Sequence, residues 1–285
     1  MSDKKIFDSL DENAWCPGCG NFGIIDALKE VFAELDLHPH ELLLVSGIGQ
    51  AAKTPHYVKS NVFNGLHGRA LPPAFGAKVA NKDLKVVVTS GEGDSYGEGG
   101  NHLIHTIRRN IDIAHFVHDN QIYGLTKGQG SPTTAVGQVT SLQLDGVYLN
   151  PFNPMSFAIS QGAGFVARGF SGNKEQLKEL MKAAILHKGY ALLDILQPCI
   201  SFNKVNTFKW YKDHTMELGS DYDKTDRELA FRTSLDVDDK IPLGILYQNE
   251  SSTYIERRPV IQNQGPLIYR EWLPENVRGF MEEFK

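Results

Sequence analysis

Between Lys85 and Gln129 the chain carries two apolar, β-prone runs, each ending in a polar turn, with a helix-period segment between them. Val86, Val87 and Val88 lead through Thr89 and Ser90 into Gly91-Glu92-Gly93-Asp94. Leu103, Ile104 and Ile107 then recur at helical spacing, and Ile113 to Val117 runs into Asp119-Asn120-Gln121-Ile122-Tyr123-Gly124. This is the pattern of strand, helix, strand. In an open parallel sheet, the carboxyl ends of neighbouring strands form a ligand crevice. An acid on one strand end and an amide on the other could share one hard cation there. The glycines could let a diphosphate approach the backbone.

The remaining chain extends the same alternation. Asn21 stands where it would cap a helix whose apolar face is Ile24, Ile25, Leu28, Val31, Phe32 and Leu35. Glu41 to Val45 reads as a buried strand ending at Ser46-Gly47-Ile48-Gly49-Gln50, and residues 51–70 read as loop. Pro72 and Pro73 open a helix over Leu71 to Val79. A long Gly-, Thr-, Ser- and Pro-rich segment covers 124–155, of the kind that lines active sites or interfaces. Glu175 to His187 is an amphipathic helix, and Tyr190 to Leu196 and Ile241 to Tyr247 are further strands. The expected fold class is therefore α/β, a mostly parallel sheet with helices on both faces. Residues 1–205 form the main domain, with a Cys-x-x-Cys loop near its start. Residues 206–285 form an extension of strand and tail that packs on this domain or on a partner.

Size and charge narrow the classes of function. A chain of 285 residues with 41% hydrophobic content can bury a large core. A formal charge of −5 gives little attraction to nucleic acid or anionic membrane. No stretch approaches the roughly 18 apolar residues of a membrane span, and no hydrophobic segment follows the first residues, so a cytoplasmic location is expected. Three cysteines, two of them close together, favour metal or redox chemistry over a disulfide framework.

Gly47-x-Gly49-x-x-Ala52 imitates a dinucleotide-binding turn, but residues 65–75 hold no acid to receive a ribose, and Pro55 interrupts the helix that should follow. The stronger site is Glu92 with Asn120 and the carbonyl of Ile122, the oxygen set that Mg²⁺ accepts; bare spacing leaves Asp94 as an alternative ligand. Cys16, Cys19 and Cys199 are three soft ligands, open to an iron–sulfur cluster, a zinc site, a redox dithiol or unrelated thiols. His102 and His105 would share a helix face, whereas His115 and His118, three apart in a strand, would point opposite ways. Lys127 could reach a phosphate or a carboxylate.

Taken together, these motifs resemble the β subunit of the 2-oxoacid:ferredoxin oxidoreductases, the thiamine-diphosphate-binding chain. The likeness spans about residues 12–260. It is carried by Cys-Pro-Gly-Cys-Gly at 16–20, Ser-Gly-Ile-Gly at 46–49, Leu-His-Gly-Arg-Ala-Leu-Pro at 66–72, Gly-Glu-Gly-Asp at 91–94, Gly-Gly-Asn-His at 99–102, Arg-Arg-Asn at 108–110 and Asp-Asn-Gln-Ile-Tyr-Gly-Leu-Thr-Lys-Gly-Gln at 119–129. The resemblance implies thiamine diphosphate held through Mg²⁺, with Glu92, Asn120 and the Ile122 carbonyl as ligands. It implies Gly91, Gly93 and Asp94 along the diphosphate, and Gly47, Ile48, Gly49, His67, Tyr123, Gly124, Leu125 and Thr126 around the cofactor. His67 is the implied catalytic residue of this chain.

The implied reaction is oxidative decarboxylation of a 2-oxoacid, 2-oxoglutarate or pyruvate, to the acyl-coenzyme A. Electrons pass through an iron–sulfur cluster on Cys16, Cys19 and Cys199 to ferredoxin, and the site is completed by an alpha subunit. Alternatives are a thiamine-dependent decarboxylase without a working cluster and a non-catalytic assembly subunit. Two departures stand out: Gly-Glu-Gly-Asp replaces the usual Gly-Asp-Gly-Asp, and Gln50 stands where the family has a fourth cluster cysteine.

Overall fold

The computed structural model describes residues 3–235, 240–271 and 275–284. Its frame is an eight-stranded sheet built from β1 (Leu42–Ser46), β2 (Asn61–Asn64), β3 (Lys85–Gly91), β4 (Ile113–Asp119), β5 (Phe165–Phe170), β6 (Tyr190–Leu196), β7 (Thr215–Glu217) and β8 (Ile241–Gln248). The strands lie in the order β2-β1-β3-β4-β6-β5-β8-β7. Every neighbouring pair is parallel except β5 with β8, so the sheet is mostly parallel, as the alternating pattern predicts.

The pleat sends successive side chains to opposite faces. Val87 of β3 therefore joins one core, with Phe116 and Leu193, while Val86 and Val88 join the other. Helices α1 (Asn21–Glu34), α2 (Leu71–Ala80), α3 (Gly100–Arg109), α4 (Pro154–Ser160) and α5 (Lys174–Leu186) cover the two faces. Ile24, Leu28 and Phe32 of α1 and Leu177 and Met181 of α5 close the first face. Leu71 and Ala74 of α2, Leu103 and Ile107 of α3, and Met155 of α4 close the second. Each large aliphatic side chain, fully buried, contributes about 1.5–3 kcal/mol. Where helices cover both faces, the sheet is open at its strand ends, and that is where the polar turns lie.

Three local expectations are corrected. Asn21 is the first residue of α1, not its cap; Gly20 holds the cap position and the Asn21 amide is buried against His118. Residues 51–70 are not all loop: a 3₁₀ helix spans Ala51–Tyr57, and β2 pairs with β1. Both faces of β2 are exposed, so it carries no alternation for a sequence reading to detect. Gly93–Glu98 winds as a π-helical turn. Beyond Asn203, α6 (Phe208–His214) and α7 (Arg227–Leu235) precede β8. Parts of the expected C-terminal extension, 236–239, 272–274 and 285, lie outside the described residues. No described helix is long and apolar enough to cross a membrane.

Candidate functional site

Strands β1, β3 and β4 deliver their carboxyl ends side by side, because Val45 is in register with Val88, and Gly91 with His118. The turns that follow enclose one pocket. Its walls are Ile48, Gly49, Gln50, Ala51, His67, Gly91, Glu92, Gly93, Asp94, Asn120, Ile122, Tyr123, Gly124, Leu125 and Thr126. The two polar turns of the central stretch, far apart in sequence, thus face one another.

Asp94 ties the turns together. Its Oδ1 accepts hydrogen bonds from the backbone N–H of Ile48 at 3.0 Å and of Gly68 at 2.7 Å, and His67 Nδ1 lies 3.7 Å away. Its Oδ2 is buried with no partner. Burial pushes the Asp94 carboxyl above its ordinary range, and the two N–H bonds and His67 pull against that. Gly47 lies so close beneath this carboxylate that it can carry no side chain: a Cβ there would stand 2.1 Å from Oδ2. Gly93 is constrained in the same way by the Tyr123 ring, at 2.2 Å.

Glu92 is 2% exposed, and its Oε1 has no hydrogen-bond partner. Desolvation pushes its carboxyl up to about 7, the Ser131 hydroxyl and the Glu92 and Gly93 N–H groups pull it down, and the Asp194 charge adds to the rise. Asn120 Oδ1 accepts from the Ile122 N–H at 3.0 Å, which folds the turn so that Ile122 lines the same pocket. Asn203 Nδ2 donates to the Asn120 carbonyl at 3.0 Å and braces it from behind. Tyr123 donates its hydroxyl to the Gly93 carbonyl at 3.4 Å, bridging the two turns. Thr126 donates to the Gln129 side chain, closing the loop that follows.

An acidic layer lies beneath. Burial pushes the Asp119 carboxyl well above its ordinary value, with the charges of Asp194 and Glu92 adding to the rise, and Arg168 donates from Nε to Asp194 Oδ2 at 2.9 Å. Tyr96 donates to the other Asp194 oxygen at 2.8 Å. Ser131, Arg168, Asp194 and Asn203 were not singled out from the sequence. They come from distant segments with no shared motif, and only the buried charge of Arg168 and Asp194 inside strand patterns hints at them.

A second pocket lies against the first and shares Gln50, Asn120 and Gly124 with it. Trp15, Cys16, Cys19, Gln197 and Cys199 line it. Burial pushes the Cys19 thiol up to about 11; the Asn21 N–H opposes this, while Cys199 and Cys16 add to it, so the three sulfurs lie within reach of one another's charge. Gln197 Nε2 donates to Cys19 Sγ at 3.5 Å. Among the described residues, no three His, Cys, Asp or Glu side chains gather as they would around a single ion.

The other histidines stay out of both pockets. His115 bonds Ser90, Ser95 and Tyr190 in the core, and His118 bonds Asn21 on the opposite face. His102 and His105 form no joint site. The turn after β1 leads into the 3₁₀ helix at Ala51–Tyr57, not an α-helix, so it lacks the helix N-terminus a dinucleotide would use.

The fold and the crevice define the class: the family model described as "Thiamine pyrophosphate enzyme, C-terminal TPP binding domain" matches residues 46–195. The model for the C-terminal part of the pyruvate ferredoxin oxidoreductase beta chain matches 199–263. The chain is 42% identical to 2-oxoacid:ferredoxin oxidoreductase 1, subunit beta, of Aeropyrum pernix, over 85% of this chain and 80% of that one. It is 43% identical to the 2-oxoacid:ferredoxin oxidoreductase subunit beta of Saccharolobus solfataricus, over 87% and 86%. A solved 2-oxoglutarate:ferredoxin oxidoreductase from Magnetococcus marinus, with 2-oxoglutarate, coenzyme A and succinyl-CoA bound, superposes with a TM-score of 0.93 at 34% identity, covering 100% of this chain and 96% of that one. The chain belongs to the beta subunits of the 2-oxoacid:ferredoxin oxidoreductases.

Proposed function

We propose that this chain, joined to an alpha subunit, oxidatively decarboxylates 2-oxoglutarate to succinyl-coenzyme A and passes the electrons to ferredoxin, with pyruvate as the second candidate substrate. The observation that carries the reading is the pair of unpartnered buried carboxylate oxygens, Glu92 Oε1 and Asp94 Oδ2, in one crevice with Asn120 and Ile122. Unsatisfied buried carboxylates are costly, and a divalent cation with a diphosphate would satisfy them. The substrate choice draws on the Magnetococcus relative, which binds 2-oxoglutarate and coenzyme A.

Bound thiamine diphosphate supplies the electron sink for loss of carbon dioxide. The chain's own residues position it. Glu92, Asn120 and the Ile122 carbonyl hold Mg²⁺, with Asp94 available should Glu92 turn aside. Asp94 fixes the Ile48 and Gly68 backbone, so that Gly47, Gly49, Gly91, Gly93 and Gly124 leave room for the diphosphate. Ile48, Tyr123, Leu125 and Thr126 wall the pocket and limit water. His67, 38% exposed at its side chain beside Asp94, exchanges a proton with the substrate. Cys16, Cys19 and Cys199, which line the adjoining pocket, would hold an iron–sulfur cluster that carries the electrons away.

Residues 1–205 carry both pockets. The extension from 206 packs β7 and β8 onto the sheet edge, and its exposed Val260, Ile268, Tyr269 and Phe280 offer apolar surface to the alpha subunit. A cytoplasmic location belongs to the same reading. The test is anaerobic co-purification with the alpha subunit, followed by thiamine diphosphate titration with and without Mg²⁺ and assay of viologen reduction with 2-oxoglutarate and pyruvate. Mg²⁺-dependent binding and 2-oxoacid-dependent reduction are expected. Binding without reduction would leave an assembly subunit.

A further inference from the structure

Gln50 has one atom that the fold leaves unused. Its backbone carbonyl accepts from Trp15 Nε1 at 2.8 Å, which fixes the main chain at the rim of the three-cysteine pocket. Its side-chain Oε1 is buried and has no hydrogen-bond partner. Gln50 lines the same pocket as the three cysteines, and a Cβ built on Gly124 would lie 3.9 Å from both Gln50 Cγ and Cys199 Sγ. A buried amide oxygen with no donor is rare in folded proteins, and it signals a ligand or a water that completes it.

We propose that Gln50 Oε1 is the oxygen donor to one iron of a [4Fe–4S] cluster whose other three irons are held by Cys16, Cys19 and Cys199. The inference rests on the iron–sulfur reading of the pocket. A neutral amide is a harder and weaker donor to iron than thiolate. The iron it holds is therefore the exchangeable one. A one-electron outer-sphere oxidant such as ferricyanide takes [4Fe–4S]²⁺ to [3Fe–4S]⁺ with release of one Fe²⁺, and the electron goes to ferricyanide. Three thiolates in place of four also leave the site one negative charge short, which favours the reduced cluster and raises the potential.

The experiment uses the anaerobically reconstituted complex with the alpha subunit, as wild type, Gln50→Cys and Gln50→Ala. Iron and sulfide are counted and EPR spectra recorded before and after one equivalent of ferricyanide. The wild type should lose one iron in four and develop the signal of an oxidised three-iron cluster. Gln50→Cys should keep all four irons, show no such signal and have a lower potential. Gln50→Ala should bind the fourth iron about 10-fold or more weakly, the scale of losing a supporting group at a metal site. Fourth-iron retention in Gln50→Ala equal to wild type would overturn the role of Gln50 and leave the cluster standing. A wild type and variants that all bind no iron or sulfide would overturn the cluster reading itself, and this inference with it.

Discussion

A Cβ on Gly47 would stand 2.1 Å from Asp94 Oδ2, so the end of β1 and the turn after β3 fit together only because residue 47 has no side chain. Gly47→Ala should push the Asp94 carboxylate off the Ile48 and Gly68 N–H groups. Hydrogen bonds to a charged group are worth about 1.5–3 kcal/mol. Affinity of the complex for thiamine diphosphate should therefore fall roughly 10- to 100-fold in a fluorescence titration. Unchanged affinity would mean that Asp94 does not organise the pocket.

Glu92 should trade stability for binding. Its folded pKa, about 7, lies above the ordinary 4.5, so the group's contribution is fully present below pH 4.5 and is lost as pH rises through 7. A tenfold change in proton affinity is worth about 1.36 kcal/mol. Relative to wild type, the ligand-free Glu92→Gln protein should therefore gain about 3 kcal/mol between pH 4.5 and pH 8. Mg²⁺ with thiamine diphosphate should stabilise the wild type more than the variant. Urea denaturation at both pH values reads the first effect, and thermal shifts with ligand the second. A gap between the two proteins that stays constant with pH would contradict the assignment.

Arg168 is the cation nearest the buried acids: its side chain is 7% exposed and that of Asp194 is fully buried. Arg168→Leu removes the ion-pair partner of the buried Asp194, with Asp119 and Glu92 close by. Removing one partner of a buried pair costs about 3–5 kcal/mol. Circular-dichroism melting should show a Tm drop of several degrees, smaller for Arg168→Lys. A melt within a degree of wild type would show that the Arg168–Asp194 pair contributes little to stability.

Glu30 accepts from Lys4 and Lys174, and Lys178 Nζ lies 3.2 Å from its second oxygen, joining α1 to α5 and to the N-terminal segment. The Lys174, Lys4 and Lys178 bonds hold its pKa down to about 2. Its contribution is present above pH 4.5 and disappears as pH falls through 2. The lysine partners are partly solvated, so Glu30→Gln should cost only about 1 kcal/mol at pH 7. Half a molar salt should shrink that difference. Equal costs at low and high salt would argue against a charge effect.

The stretch from Lys85 to Gln129 is legible in the sequence because its strands are fully buried and its turns are made of residues that stop strands. Val86 to Ser90 and Ile113 to Val117 could hardly pack any other way. The 3₁₀ helix at Ala51–Tyr57, the π turn at Gly93–Glu98 and strand β2 are not legible. Each is short: β2 is held by backbone pairing to β1 with no buried face, and the two turns are too brief to show a periodic apolar face. Asn21 misleads for a related reason: its amide has the chemistry of a cap but is claimed by His118, 97 residues away.

The sequence alone determined the strand–helix–strand run of the central stretch, the residues that end its two strands, and the presence of three thiols and a carboxylate–amide pair. All of these depend on residue type and near-neighbour spacing. Tertiary structure alone decided that Asp94 bonds Ile48 and Gly68, that Glu92 feels the charge of Asp194, and that Gln50 buries a lone side-chain oxygen in a pocket wall it shares with three cysteines. Those relationships depend on strand register and burial, and the free energy of a buried charge or amide is set by whichever distant groups the fold brings within hydrogen-bond reach.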